Sequence, residues 1–337
     1  MYTKEDIQQI LNEIEMHLTD NFEENFKYIM SKIKYYREQE DAQNVVVAIY
    51  DFFKGYLSGE DVEKFKELIK QGVKKRRSDH QLAVDHIKNK KFKEASLVLE
   101  HLIKTFPFKR SEGKEWYAFA KPFELVLFAT KYEQTKLIQQ YEEPVSIYFY
   151  QLAYCKMMEK DFEGALEAIN RACQYDPTSF EMIFLKAGIY DELKEPLLAH
   201  NAVREALEYA YLKEDFMKAY YLLGLYFAKR NDDLVALACL TLSTHFRSTK
   251  FNEPLKQIVS KKCIISLDDE PDKISEILMT ENVQFGPSAT VMSAFDNQFF
   301  EKVQSFKKEI KDEFTKIKED IFNDEYFMLS ASVSQIQ

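Results

Sequence analysis

The sequence is short of the residues that make tight turns, with 8 glycines and 8 prolines among 337 residues. Ordinary usage would put glycine near ~7%, so the supply is too thin for a fold built on β-turns or for glycine-rich phosphate loops. No G-x-G-x-x-G, Walker or G-x-S-x-G sequence occurs, which removes the usual signatures of nucleotide binding and serine hydrolysis. Cysteine is sparse as well. Cys155, Cys173, Cys239 and Cys263 form no C-x-x-C pair and stand in apolar, helix-like contexts, as buried reduced thiols do, rather than a disulfide frame or a zinc site. The six histidines include no H-E-x-x-H. His80 and His86, six residues apart, would point about 120° away from each other on a helix, a poor arrangement for one metal. No cofactor, metal or catalytic activity is therefore expected. Finally, no stretch approaches ~18 uncharged apolar residues, and the N-terminal MYTKEDIQQI has no apolar signal core. Both absences imply a cytoplasmic protein that does not enter a membrane.

What is present is apolar and aromatic. Hydrophobic residues make up 46% of the chain, charged residues 30%, and there are 27 Phe and 20 Tyr, enough to bury a large core. A net charge of −10 repels phosphate backbones and anionic surfaces, so nucleic acid is disfavoured as a partner. A chain of this length calls for two or three domains or one elongated array.

The array has a textual sign. Residues 90–107 read KKFKEASLVLEHLIKTFP and residues 160–177 read KDFEGALEAINRACQYDP. Small residues recur in phase at Ala95, Ala165, Ala199 and Ala236, each followed four residues later by Leu99, Ile169, Val203 or Leu240. Twelve residues before each comes a second small residue: Ala83, Ala153, Ala187 and Gly224. Ala165 to Ala199 is 34 residues and Ala199 to Ala236 is 37. A period of this size signals a structural repeat. Each unit divides into two stretches of helical periodicity. Small residues would let the paired helices approach, and Pro107 and Pro177 would stop the second helix, since proline cannot donate the backbone bond.

This pattern resembles the tetratricopeptide repeat family, most clearly in Tyr220-x2-Leu223-Gly224-x2-Phe227…Ala236-x3-Leu240. The chain is also similar to cytosolic repeat proteins of low-GC Gram-positive bacteria. The resemblance implies an all-α fold, a right-handed α-solenoid of helix hairpins, over 73–250, with units near 76–109, 146–179, 180–213 and 217–250. A degenerate unit at 111–144 holds Trp116 at the aromatic position but is cut by Pro122, and an irregular hairpin is expected there. A helical region at 1–72 precedes the array. Thr3 and Asp20 can cap its first helices, and VVVAIYDFF at 45–53 reads as a buried helix despite its strand propensity. A break at Gly72 and a solvated loop at Lys74–Arg77 would separate this region from the repeats, with Ser78 and Gln81 as a capping box. A C-terminal helical region, 251–337, contains a long amphipathic helix near 288–325 with Phe299, Val303, Phe306, Ile310, Phe314, Ile317 and Ile321 on one face, suited to cap the array. The final SASVSQIQ is expected to fray.

In this family the first helices line a concave groove that holds a peptide. Carried over residue by residue, the groove positions hold His80, Tyr150, Phe184 and Tyr221, then Val84, Tyr154 and Leu225, with Met157 and Met158 beside them and Asp191 and Lys229 at the rims. Chaperone-binding members use Lys and Asn at two of these positions, and neither is present. The lining is aromatic and rich in methionine, as suits an apolar or amphipathic segment. The expectation is a non-catalytic scaffold or adaptor for a protein or peptide partner. The alternatives are a peptide-responsive regulator and a structural subunit of an enzyme-containing complex.

Overall fold

The scarcity of glycine has a visible consequence in the backbone. Lys90, Lys160, Lys194 and Asn231 all adopt left-handed conformations, with φ of 58°, 66°, 64° and 62°. Each closes the same turn. The next residue's N–H reaches back to the carbonyl five residues earlier: Lys91 to His86 at 2.8 Å, Asp161 to Lys156 at 2.9 Å, Glu195 to Tyr190 at 2.9 Å and Asp232 to Phe227 at 3.0 Å. This is the Schellman closure, which normally takes glycine at the left-handed position. The four turns lie five residues before Ala95, Ala165, Ala199 and Ala236, so the backbone repeats in phase with the small residues.

The computed structural model describes residues 2–37, 39, 42–109, 113–132, 137–296 and 308–322. The turns join helix pairs: α4 (Glu60–Lys88) with α5 (Phe92–Thr105), α7 (Val145–Met158) with α8 (Phe162–Tyr175), α9 (Phe180–Glu192) with α10 (Pro196–Glu208), and α11 (Lys213–Lys229) with α12 (Asp233–Phe246). Within the pairs Ala83, Ala95, Ala153, Ala165, Ala187 and Ala236 are buried, as their spacing predicts, while Ala199 is half-buried. Asp161 caps α8 by accepting from the Gly164 N–H at 3.0 Å. Helix α8 ends at Tyr175, two residues before Pro177, and α5 at Thr105, two before Pro107.

Three helices precede the pairs: α1 (Lys4–Glu15), α2 (Phe22–Arg37) and α3 (Gln43–Tyr56). Thr3 caps α1, accepting from the Asp6 N–H at 3.2 Å. Asn21, not Asp20, caps α2, its Oδ1 accepting from Glu23 and Glu24 at 3.0 and 3.2 Å. The 45–53 run is helical, and Val45, Ile49 and Phe53 are buried with Ile14, Ile29 and Phe65 in a local core. The break expected at Gly72 is absent, because α4 runs unbroken from Glu60 to Lys88. The Lys74–Arg77 run is therefore helix, not loop, and Ser78 and Gln81 lie inside it rather than at a cap. One glycine in a helix costs only ~1 kcal/mol. Arg76, moreover, has a partner. Its guanidinium grips the Glu143 carboxylate through Nε at 2.9 and 3.0 Å and Nη2 at 2.6 Å, and both side chains are largely shielded.

The described chain is helical but for two four-residue strands, and these correct the reading of 111–144. That stretch is not a helix hairpin. β1 (Lys114–Tyr117) and β2 (Leu137–Gln140) pair in parallel, Trp116 opposite Gln139, and α6 (Pro122–Lys131) forms part of the connection between them. Parallel strands need such a crossover. Side chains alternate across β1. Tyr117 packs on Phe128 of α6, with ring centroids 4.6 Å apart, so α6 covers that side of the strand. Pro122 does not cut a helix short but starts one, where its missing N–H costs nothing.

After the last pair come α13 (Asn252–Cys263), α14 (Pro271–Thr280), α15 (Ala289–Asp296) and α16 (Lys308–Phe322). Of the long helix expected near 288–325, the described residues contain α15 and α16. Phe299, Val303 and Phe306 lie outside the described residues, as does SASVSQIQ. Phe314 of α16 is buried, its ring 5.2 Å from Phe123 of α6 and 5.3 Å from Phe295 of α15. Among the described residues no helix is long and apolar enough to cross a membrane.

Candidate binding surfaces

Helix α9 packs beside both α7 and α11, so the first helices of three successive pairs form one surface. Tyr150, Phe184 and Tyr221, taken from equivalent positions, are all half-buried. Their neighbours in sequence or space are not: Tyr148, Phe180 and Tyr220 are each at most 1% exposed. Tyr150, Phe184 and Tyr221 each pack against the core with part of the ring left exposed. Phe184 stacks on Phe180 at 5.2 Å and so stands on a rigid base. Burial pushes the Tyr150 phenol above its usual range, with the Glu181 carboxylate adding to it.

The other expected groove residues are spread along α4, α7, α9 and α11. His80 on α4 has Nε2 2.8 Å from Gln151 Oε1 and its ring 4.8 Å from that of Tyr148, so α4 is tied to α7 at this point. Tyr154 meets Phe92 edge-on at 5.9 Å. Val84, Met157 and Leu225 are half-buried, while Met158 is 45% exposed. Asp191 and Lys229, expected at the rims, lie 3.7 Å apart as an exposed ion pair between α9 and α11.

Sequence reasoning missed a buried acidic cluster next to this face. Lys121, at the start of α6, pairs with Glu181 at 2.5 Å. Behind it Glu124 and Asp176 are fully buried. The Lys121 N–H donates to Glu124 at 2.6 Å and the Ala120 N–H donates to Asp176 at 2.7 Å. Burial raises both carboxyls, since two charges could not be desolvated side by side. Asp215, at the start of α11, is also buried and pushed up to about 7 by that burial, with Glu181 adding and Lys121 opposing. In the sequence Asp176 reads as an ordinary pre-proline turn residue. The cluster assembles only because α6 lies against the turn between α8 and α9, where Thr178 Oγ1 donates to the Glu124 carbonyl at 2.7 Å.

Nothing in the sequence signals an open cavity of about 790 Å³ bordered by α5, α7, α8 and β1. Trp116 and Phe149 both line it. Trp116, expected on the first helix of an irregular hairpin, stands instead on β1.

Among the described residues no group of three or more His, Cys, Asp or Glu could hold a metal ion. Cys155 and Cys239 are buried, and burial holds the Cys155 thiol at about 12, far from the thiolate that a nucleophile requires. His200 is buried against Tyr226, and its imidazole is depressed to about 4 by that burial. Compared with known proteins, the chain matches no family model, and no curated protein matches it significantly.

Proposed function

We propose that the helix pairs form a right-handed solenoid of tetratricopeptide type, and that the chain is a non-catalytic cytoplasmic adaptor. Its partner is a protein that offers an apolar or amphipathic segment to the face made by α7, α9 and α11. One observation carries this reading. Tyr150, Phe184 and Tyr221 remain half-buried on three successive first helices, while Tyr148, Phe180 and Tyr220 are sealed in the core. Half-exposed rings on rigid helices supply contact area at little entropic cost, as anchor residues do. The Asp191–Lys229 pair at the edge of the face supplies polar rim groups.

The test is a selection of peptides from a random display library against the full chain. A selected apolar peptide should lose about thirtyfold in affinity, or about 2 kcal/mol, when Tyr150 or Tyr221 is replaced by alanine. Equal affinity for both variants would place the binding surface elsewhere.

A further inference from the structure

The cavity between α5, α7, α8 and β1 is separate from that face. Its volume, about 790 Å³, falls within the range of small-molecule sites, ~300–1,000 Å³. One wall is aromatic: Trp116, Tyr141, Tyr175 and Phe149 line it in ring contact, with centroids 5.2 Å apart for Trp116–Tyr141, 6.1 Å for Tyr141–Tyr175 and 5.9 Å for Phe149–Tyr175. The Trp116 indole Nε1 is shielded from solvent and has no hydrogen-bond partner among the described residues. That nitrogen is out of reach of water, so Trp116 offers the cavity its ring and not its N–H.

The charged lining points the same way. Lys156 is neutralised by Glu100 and Asp161, each at 3.2 Å. Lys109, Lys114 and Arg171 have no carboxylate within ion-pair distance among the described residues. Lys109 Nζ lies 4.6 Å from the centre of the Trp116 ring. Against these stands Glu167, one turn before Arg171 on α8, the single lining carboxylate without an ion pair. In a chain with net charge −10, this is a local excess of positive charge beside a wall of rings.

We propose that this cavity binds a planar aromatic anion, a flat ring system that carries a phosphate or a carboxylate. The ring packs on the aromatic wall, and the anionic group lies among Lys109, Lys114 and Arg171. A nucleoside monophosphate and a simple aromatic carboxylate share this chemistry, and the experiment separates them.

Trp116 is the only tryptophan, so the full chain labelled with ¹⁵N gives one indole N–H resonance, which reports on this cavity alone. The probes are AMP, 2-naphthoate, adenosine and inorganic phosphate. A saturable shift of the indole signal with AMP or 2-naphthoate is expected, and whichever of the two binds identifies the source. Adenosine, which lacks the anion, and phosphate, which lacks the ring, should each bind at least about tenfold more weakly. Lys109→Met combined with Arg171→Gln, both at solvent-accessible positions, should weaken the binding probe by about tenfold or more while the melting temperature stays in place. The proposal is overturned if neither AMP nor 2-naphthoate shifts the signal up to about 5 mM. It is equally overturned if adenosine or phosphate binds as well as the aromatic anions, or if the double variant binds them unchanged.

Discussion

A methyl group placed on Gly224 would lie 2.7 Å from Leu240 Cγ, inside any normal contact distance. Gly224 on α11 and Leu240 on α12 are both buried, so this glycine is kept for closeness of approach rather than for backbone freedom. Replacing it with alanine adds helix propensity of ~1 kcal/mol but overpacks a closed contact at ~1–3 kcal/mol. Gly224→Ala should therefore lower stability by about 1 kcal/mol, read by denaturant melts. In a Leu240→Ala background the added methyl has room. The two changes should then couple by about 1 kcal/mol; strict additivity would mean that the helices do not meet there.

The left-handed lysines make the opposite prediction. Lys160 has φ of 66° at an exposed turn, where a Cβ is unfavourable. Lys160→Gly should stabilise the chain by about 0.5–1 kcal/mol, the relief of strain outweighing the larger entropy that glycine loses on folding. A destabilised variant would show that the left-handed turn is not populated in solution.

Arg76 and Glu143 join α4 to the turn before α7 through three hydrogen-bond contacts. Glu143→Gln removes the charge but keeps the shape, and should cost about 2–3 kcal/mol because a shielded guanidinium loses its counterion. A loss within about 0.5 kcal/mol, the ordinary range for a surface change, would indicate that the pair is open to water.

Asp215 sets a pH dependence. Its folded pKa, about 7, is above the ordinary value of 3.8, so the folded state holds the proton more tightly than the unfolded chain. That contribution is fully present below the unfolded pKa and is lost as pH rises from about 4 through about 7. Wild type should thus melt at a higher temperature near pH 5 than near pH 8. Asp215→Asn, which keeps an acceptor for the Leu212 N–H without the charge, should flatten that difference. Parallel pH profiles for the two proteins would show that Asp215 titrates normally.

The helix pairs were legible in the sequence because their determinants are local and periodic. The small residues, the prolines after α5 and α8, and the apolar spacing all act within a few residues of where they stand. The break expected at Gly72 failed for the opposite reason. A glycine and four basic residues look like a loop until Glu143, distant in sequence, supplies the partner for Arg76. The strands are four residues each, too short to show alternation, and β1 is a strand only because β2 lies beside it. The residues proposed for the face could be named from the sequence because one position per repeat marks them. The cavity and the buried acids were not, since Trp116, Phe149 and Arg171, or Glu124, Asp176 and Asp215, come from separate elements and share no spacing.

The central claim is that α7, α9 and α11 present the binding face, and hydrogen–deuterium exchange tests it most directly. With a display-selected apolar peptide bound to the full chain, exchange should slow in the peptides that cover Val145–Met158, Phe180–Glu192 and Lys213–Lys229, with α5, α8 and β1 unchanged. Protection confined to α5, α8 and β1, or to the helices at either end of the chain, would contradict it.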